Sequence, residues 1–237
     1  MSTFVLVHGA WHGGWCWHKV VARLEAMGHR ALAPDMPGRG GDATPIAEVT
    51  LDHIVARIGE TIAAAGEKVV LVGHSYGGAM ITQAAERHAD RIERLVYVTA
   101  FLLEDGQALM DLAREDDDSR LNGQVDFLDG ERTAVVREAV VRDCFYGECS
   151  GEDVAFARAR LGLEAVAGFR TPMRTSAARF GRLPRTYVEC LRDNAISIGL
   201  QRRMQRALPC DKVVTLDTDH SPFFSTPDAL AAALIEG

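Results

Sequence analysis

The sequence predicts an α/β protein in which a mainly parallel, six-stranded sheet is flanked by helices and interrupted by one long insertion. Three observations carry that expectation. Short apolar runs rich in valine recur along the chain, stretches of helical pattern separate them, and the alternation stops for roughly 80 residues between Leu103 and Arg182.

The first run, residues 4–7 (Phe-Val-Leu-Val), lacks the in-out alternation of a half-exposed strand and suits a strand covered on both faces. Residues 19–27 follow as a helix, and residues 30–33 are the weakest strand candidate. Thr50-Leu51-Asp52 opens a helix over 52–65. Strand 69–72 leads through a glycine-rich turn into a helix over 76–88, and strand 95–98 closes the first part of the sheet. After the insertion come strand 187–190, helix 198–207, strand 213–216 and helix 227–235, the last with Pro227 at its first position. Residues 1–102 and 183–237 are expected to form the core. Residues 103–182 are too long for a plain loop and are expected to form a cap.

The 237 residues carry 26 Lys+Arg against 33 Asp+Glu, a net charge of −7. That balance gives no dominant basic patch for nucleic acid. No apolar run reaches the roughly 18 residues that span a bilayer, and the first residues lack the basic and apolar regions of a secretory leader. Five scattered cysteines (Cys16, Cys144, Cys149, Cys190 and Cys210) include no CxxC pair and read as reduced thiols, so a cytoplasmic location is expected. The insertion holds 16 Asp+Glu against 11 Arg, so −5 of the −7 lies there. Its run Glu115-Asp116-Asp117-Asp118 lacks the spaced ligands and glycine of a calcium loop and reads as solvated surface. Asp129-Gly130 reads as a hairpin turn, and two helical patches accompany it.

The chemistry centres on Gly73-His74-Ser75-Tyr76-Gly77, a G-x-S-x-G between a strand and a helix. A nucleophile on so sharp a turn needs a strained backbone, and side chains two residues to either side would collide with the turn and helix. Gly73 and Gly77 remove them. The helix N-terminus favours negative charge developing at Ser75. A serine hydroxyl needs a base to take its proton. His220, in the loop past strand 213–216, stands where open α/β sheets build their sites. The acid that orients the base should follow the preceding strand, which selects Asp193, with Glu189 ranked second because it lies within the strand. The backbone N–H groups of Tyr76 and Ala10 are the expected oxyanion donors. His8, His12 and His18 lack a completing carboxylate or thiol set, so no metal is expected, and no cofactor is required.

The order His8-Gly9, Gly73–Gly77, Asp193, His220 resembles the α/β-hydrolase fold over nearly the whole chain. Residues 4–15, FVLVHGAWHGGW, with Cys190-Leu191-Arg192-Asp193-Asn194 and Thr218-Asp219-His220, are similar to the plant methylesterase and hydroxynitrile lyase branch. The resemblance implies a triad of Ser75, Asp193 and His220, oxyanion donors at Ala10 and Tyr76, and a cap over a mostly apolar pocket. Lyases of that branch carry Thr after the first-strand His and Lys after the base. Here those positions are Gly9 and Ser221, which favours ester hydrolysis and leaves room for an ester beside Gly9.

The expected activity is carboxylesterase-type hydrolysis (EC 3.1.1 class) of small to medium apolar esters or lactones through an acyl-enzyme. The alternatives are lyase-type C–C cleavage and a slow-turnover ligand-binding receptor on the same scaffold. Gly9, Trp11, Phe127 and Phe145 are the substrate-contact candidates; Phe101, Tyr146, Phe156, Phe169, Trp15 and Trp17 are further aromatic candidates. The acidic cap is expected to disfavour strongly anionic substrates. The expected partners are a small-molecule ester and, in a homodimer, a second copy of the chain.

Overall fold

Each apolar run becomes a strand, and each helical stretch a helix, in the computed structural model, which describes Met1–Gly237. In chain order the first half is β1 (Thr3–Val7), α1 (His18–Ala26), β2 (Arg30–Leu32), α2 (Leu51–Ala65), β3 (Val69–His74), α3 (Gly77–His88) and β4 (Ile92–Val98). Residues 103–182 contain α4 (Leu109–Ala113), β5 (Val125–Leu128), β6 (Thr133–Val136), α5 (Val141–Phe145), α6 (Gly151–Arg158), β7 (Glu164–Ala165) and α7 (Val166–Arg170). The chain ends with β8 (Arg185–Cys190), α8 (Ile198–Ala207), β9 (Lys212–Leu216), α9 (Pro222–Ser225) and α10 (Pro227–Glu236).

Six strands form one parallel sheet in the order β2-β1-β3-β4-β8-β9. The interior strands β1 and β3 are fully buried, as continuous apolar runs require. β9 departs from that reading. It lies at the sheet edge, alternates between half-buried and exposed, and leaves Val213 46% exposed. The run Val213-Val214-Thr215-Leu216 looks alike whether one flank of the strand is covered or two. Local capping holds the helices in phase: Thr50 accepts the His53 amide while His53 accepts the Thr50 amide, and Gly66 ends α2 in the left-handed conformation.

The inserted segment carries a three-stranded antiparallel sheet, β5-β6-β7, and four short helices rather than two. Asp129 and Gly130 turn the β5–β6 hairpin at positive φ. The acidic run is not uniformly solvated. Asp116 is buried, and its carboxylate takes the Ser197 amide at 2.8 Å and hydroxyl at 2.5 Å, tying the segment to the start of α8. Those two bonds offset the desolvation of the carboxylate.

Register places the site. Val7 pairs with Gly73, His74 with Val98, and Cys190 with Leu216. The loops after β1, β3, β4, β8 and β9 therefore open along one edge of the sheet. The chain leaves β1 in opposite directions toward β2 and β3, so a crevice opens beside β1.

Candidate active site

Ser75 sits between the last residue of β3 and the start of α3 with φ +55°, in the left-handed region that a non-glycine residue enters at a cost. Its carbonyl accepts the Gly78 and Phe101 amides, which hold the turn closed. The flanking glycines are required by close approach. A Cβ on Gly73 would stand 2.4 Å from the Gly77 carbonyl oxygen, and one on Gly77 would stand 2.7 Å from that of Val7.

His220 and Asp193 are both buried, and His220 Nδ1–H donates to Asp193 Oδ2 at 2.7 Å. The other carboxylate oxygen accepts the Ala195 and Ile196 amides at 2.7 and 2.9 Å. A third side chain completes the set: the Thr99 hydroxyl donates to Asp193 Oδ2 as well. Thr99 follows β4 directly, has φ +37°, and is held by its amide on the Val188 carbonyl at 2.8 Å. Sequence reasoning passes over it, since its only mark there is to be the first polar residue past a strand end. Glu189, the second acid candidate, is instead engaged by Arg202, Gln205 and Thr215.

His74 precedes Ser75 in the chain and contacts His220. Its Nε2–H donates to the His220 carbonyl at 2.7 Å, and the two rings lie 4.6 Å apart. Burial holds the His74 imidazole well below the usual histidine range, with His220 as the next cause, so the ring is neutral. Two further neutral imidazoles shape the loop after β1. His8 Nδ1–H donates to the Gly9 carbonyl at 2.8 Å and its Nε2 accepts the Met36 amide; burial lowers its pKa to about 4. His12 Nδ1–H donates to the Ala10 carbonyl at 2.7 Å and its Nε2 accepts the Tyr146 hydroxyl; burial lowers its pKa to about 3. Both nitrogens of each ring are thus used in hydrogen bonds.

The peptide between Gly9 and Ala10 has its carbonyl held by His8, so its N–H points the opposite way across the trans amide. That Ala10 N–H, like the Tyr76 N–H, makes no hydrogen bond within the chain. Both residues line a cavity of about 270 Å³ together with Ser75. Its walls are mostly apolar, with Leu109, Met110, Phe101, Phe127, Phe169 and Ile196 among them. The charged residues in the lining are Arg114 and Asp116, the latter already bonded to Ser197. Of the insertion's 16 acidic residues, Asp116 alone is in the lining.

The candidate substrate contacts divide. Trp11 and Phe127 line the cavity, and Phe127 remains 44% exposed at its rim. Phe145 does not. It is buried with its ring 5.5 Å from that of His220, against which it packs, and it borders a separate cavity behind Trp11. Tyr146 and Phe156 also stay out of the cavity, while Trp15 and Trp17 pack on Phe224 and Phe223. Gly9 does not face it either. A Cβ there would lie 2.8 Å from Ser75 Cβ and 3.0 Å from His74 Nδ1, so the missing side chain accommodates the serine turn rather than a ligand.

Residues 4–233 match the profile of the alpha/beta hydrolase family. The chain is 34% identical over 247 residues to a protein of Arabidopsis thaliana named putative methylesterase 11, chloroplastic, covering 99% of this chain and 63% of that one. It is 32% identical over 254 residues to the pyrethroid hydrolase of Sphingobium wenxiniae, covering 100% of this chain and 87% of that one. Among solved structures, a methylesterase from Arabidopsis superposes with a TM-score of 0.88 at 26% identity, covering 100% of this chain and 98% of that one.

Proposed function

The chain belongs to the alpha/beta hydrolase family, and on that footing we propose that it is a carboxylesterase that hydrolyses small to medium apolar esters through a serine-bound acyl intermediate. Ser75 is the nucleophile, His220 the base and Asp193 the acid that orients it. Ser75 Oγ attacks the ester carbonyl and passes its proton to His220 Nε2. The oxyanion meets the N–H groups of Ala10 and Tyr76, an interaction of the kind whose loss costs about 100-fold or more in rate. His220 returns the proton to the leaving alkoxide, and water then enters with His220 as base.

The observation that carries this reading is a serine on a left-handed turn sharing one apolar cavity with two unbonded amides, with a buried Asp193–His220 pair reached through His74, the residue before that serine. Lyase-type cleavage is disfavoured because the residue after the base is Ser221, a buried hydroxyl with no charge to hold a departing anion. Residues 103–182 act as the cap that supplies the cavity's outer wall. The five free cysteines support a reducing compartment, and a cytoplasmic location and a homodimer complete the proposal. Hydrolysis of p-nitrophenyl acetate and labelling by a fluorophosphonate should both vanish in Ser75→Ala. Undiminished turnover in that variant refutes the assignment, and ligand-induced stabilisation of the wild type without turnover favours a receptor.

A further inference from the structure

Trp11 is the one residue of the oxyanion loop at positive φ, +63°, and each of its polar groups is bonded to the inserted segment. Its N–H donates to Glu164 Oε2 at 3.0 Å, its carbonyl accepts the Gly162 amide at 3.0 Å, and its indole N–H donates to the Ala134 carbonyl at 3.1 Å. Glu164 is the charged member of that set. It is 3% exposed, its Oε1 accepts the Ala165 amide, and its Oε2 also meets the guanidinium of Arg39 at 2.5 Å. Arg39, 6% exposed, comes from the core loop after β2, so the ion pair joins core and insertion behind the oxyanion loop.

Resting on the esterase reading above, we propose that Glu164, neutralised by Arg39, is a positioning residue that aims the Ala10 amide. The peptide between Ala10 and Trp11 is pinned at both ends, its carbonyl by His12 and its N–H by Glu164. The peptide before it is pinned at its carbonyl by His8, leaving the Ala10 N–H as its only unbonded polar group. A non-glycine residue stays in the left-handed region only where its surroundings over-determine it. Release of the Trp11 N–H lets the two peptides rotate together and swings the Ala10 donor away from the oxyanion. A carboxylate suits this task because a charge-assisted bond to a backbone N–H is shorter and stronger than a neutral one. Arg39 allows that charge to be buried. The inserted segment is then part of the transition-state machinery as well as a wall of the cavity.

Removing one member of the ion pair would strand a buried charge, so the pair is removed whole. R39M/E164Q keeps a carbonyl acceptor for the Trp11 N–H, and R39M/E164L abolishes it. With p-nitrophenyl acetate, the glutamine variant should keep kcat within about threefold of wild type, and the leucine variant should lose about tenfold or more in kcat at nearly constant KM. The inhibition constant of a trifluoromethyl ketone, which forms a tetrahedral oxyanion adduct, should weaken by the same factor in the leucine variant. E164D keeps the charge but withdraws the acceptor, and it carries the same test in a chain whose charges remain balanced; kcat should fall while KM holds. Loss of wild-type turnover on Ser75→Ala secures the underlying reading first. Equal kcat and ketone affinity in the two double variants, a loss confined to KM, or wild-type kcat in E164D would overturn the role of Glu164 alone.

Discussion

Acidification from pH 7 to pH 5 should destabilise this fold through its buried imidazoles before its carboxylates titrate. His8 and His12 are completely enclosed, with pKa values lowered to about 4 and about 3, and burial is the first cause in each. In the unfolded chain each returns to about 6.5. The unfolded state therefore binds protons that the folded state refuses. The histidines impose no such penalty above pH 6.5; stability falls as the pH drops from there, and the loss levels off only near pH 4 for His8 and near pH 3 for His12. At pH 5, some 1.5 units below the unfolded value, each residue costs about 2 kcal/mol, so the two together cost about 4 kcal/mol. His74, also shifted well down by burial, adds to the loss in the same direction. That is a large share of the ~5–15 kcal/mol that holds a typical domain folded. Urea titrations at half-unit pH steps measure it as a falling midpoint, and His12→Asn should remove about one proton from the slope between pH 6.5 and 5. A midpoint independent of pH across that range, or a slope unchanged in His12→Asn, would refute the neutral buried imidazoles.

Thr99→Val should lower kcat about tenfold with little change in KM, because it removes a donor from Asp193 without touching the cavity, and Thr99→Ser should restore most of the loss. Gly9→Thr should reduce kcat/KM about 100-fold without conferring cyanohydrin cleavage, since its Cβ meets Ser75 Cβ at 2.8 Å; steady-state kinetics on both substrate types check this. Phe127→Ala should raise KM about tenfold for long-chain esters and hardly affect acetate, whereas Phe145→Ala should act on kcat, because one ring lines the cavity and the other backs His220.

The parts of this molecule legible in the sequence are those whose cause is local or set by strand order. Gly73 and Gly77 mark the serine turn because the collisions they avoid lie within a few residues of them or on the adjoining β1. Asp193 and His220 stand in the loops just past the last two strands, and parallel register brings those strand ends together. The features that stayed hidden depend on partners far apart in the chain. Thr99 meets Asp193 across 94 positions, and Asp116 meets Ser197 across 81. Phe127 and Phe145 are the same residue type in the same segment. Nothing in apolar character alone tells a cavity wall from a ring packed on His220. Glu164 counted in sequence only as one of 16 acidic residues in the insertion, although it is buried against Arg39.

The junction between β4 and β8 has a consequence for synthesis. Leu95 pairs with Arg185, so the inner edge of β4 waits about 90 residues for its partner. At roughly 5–20 residues per second that interval lasts several seconds, during which Leu95–Val96–Tyr97–Val98 present an unpaired apolar edge. A ribosome-bound chain of this length already holds Ser75 on its turn but neither Asp193 nor His220. The proposed triad is therefore complete only once the strands that seal the sheet are made, and until then the nascent chain carries an edge open to edge-to-edge aggregation.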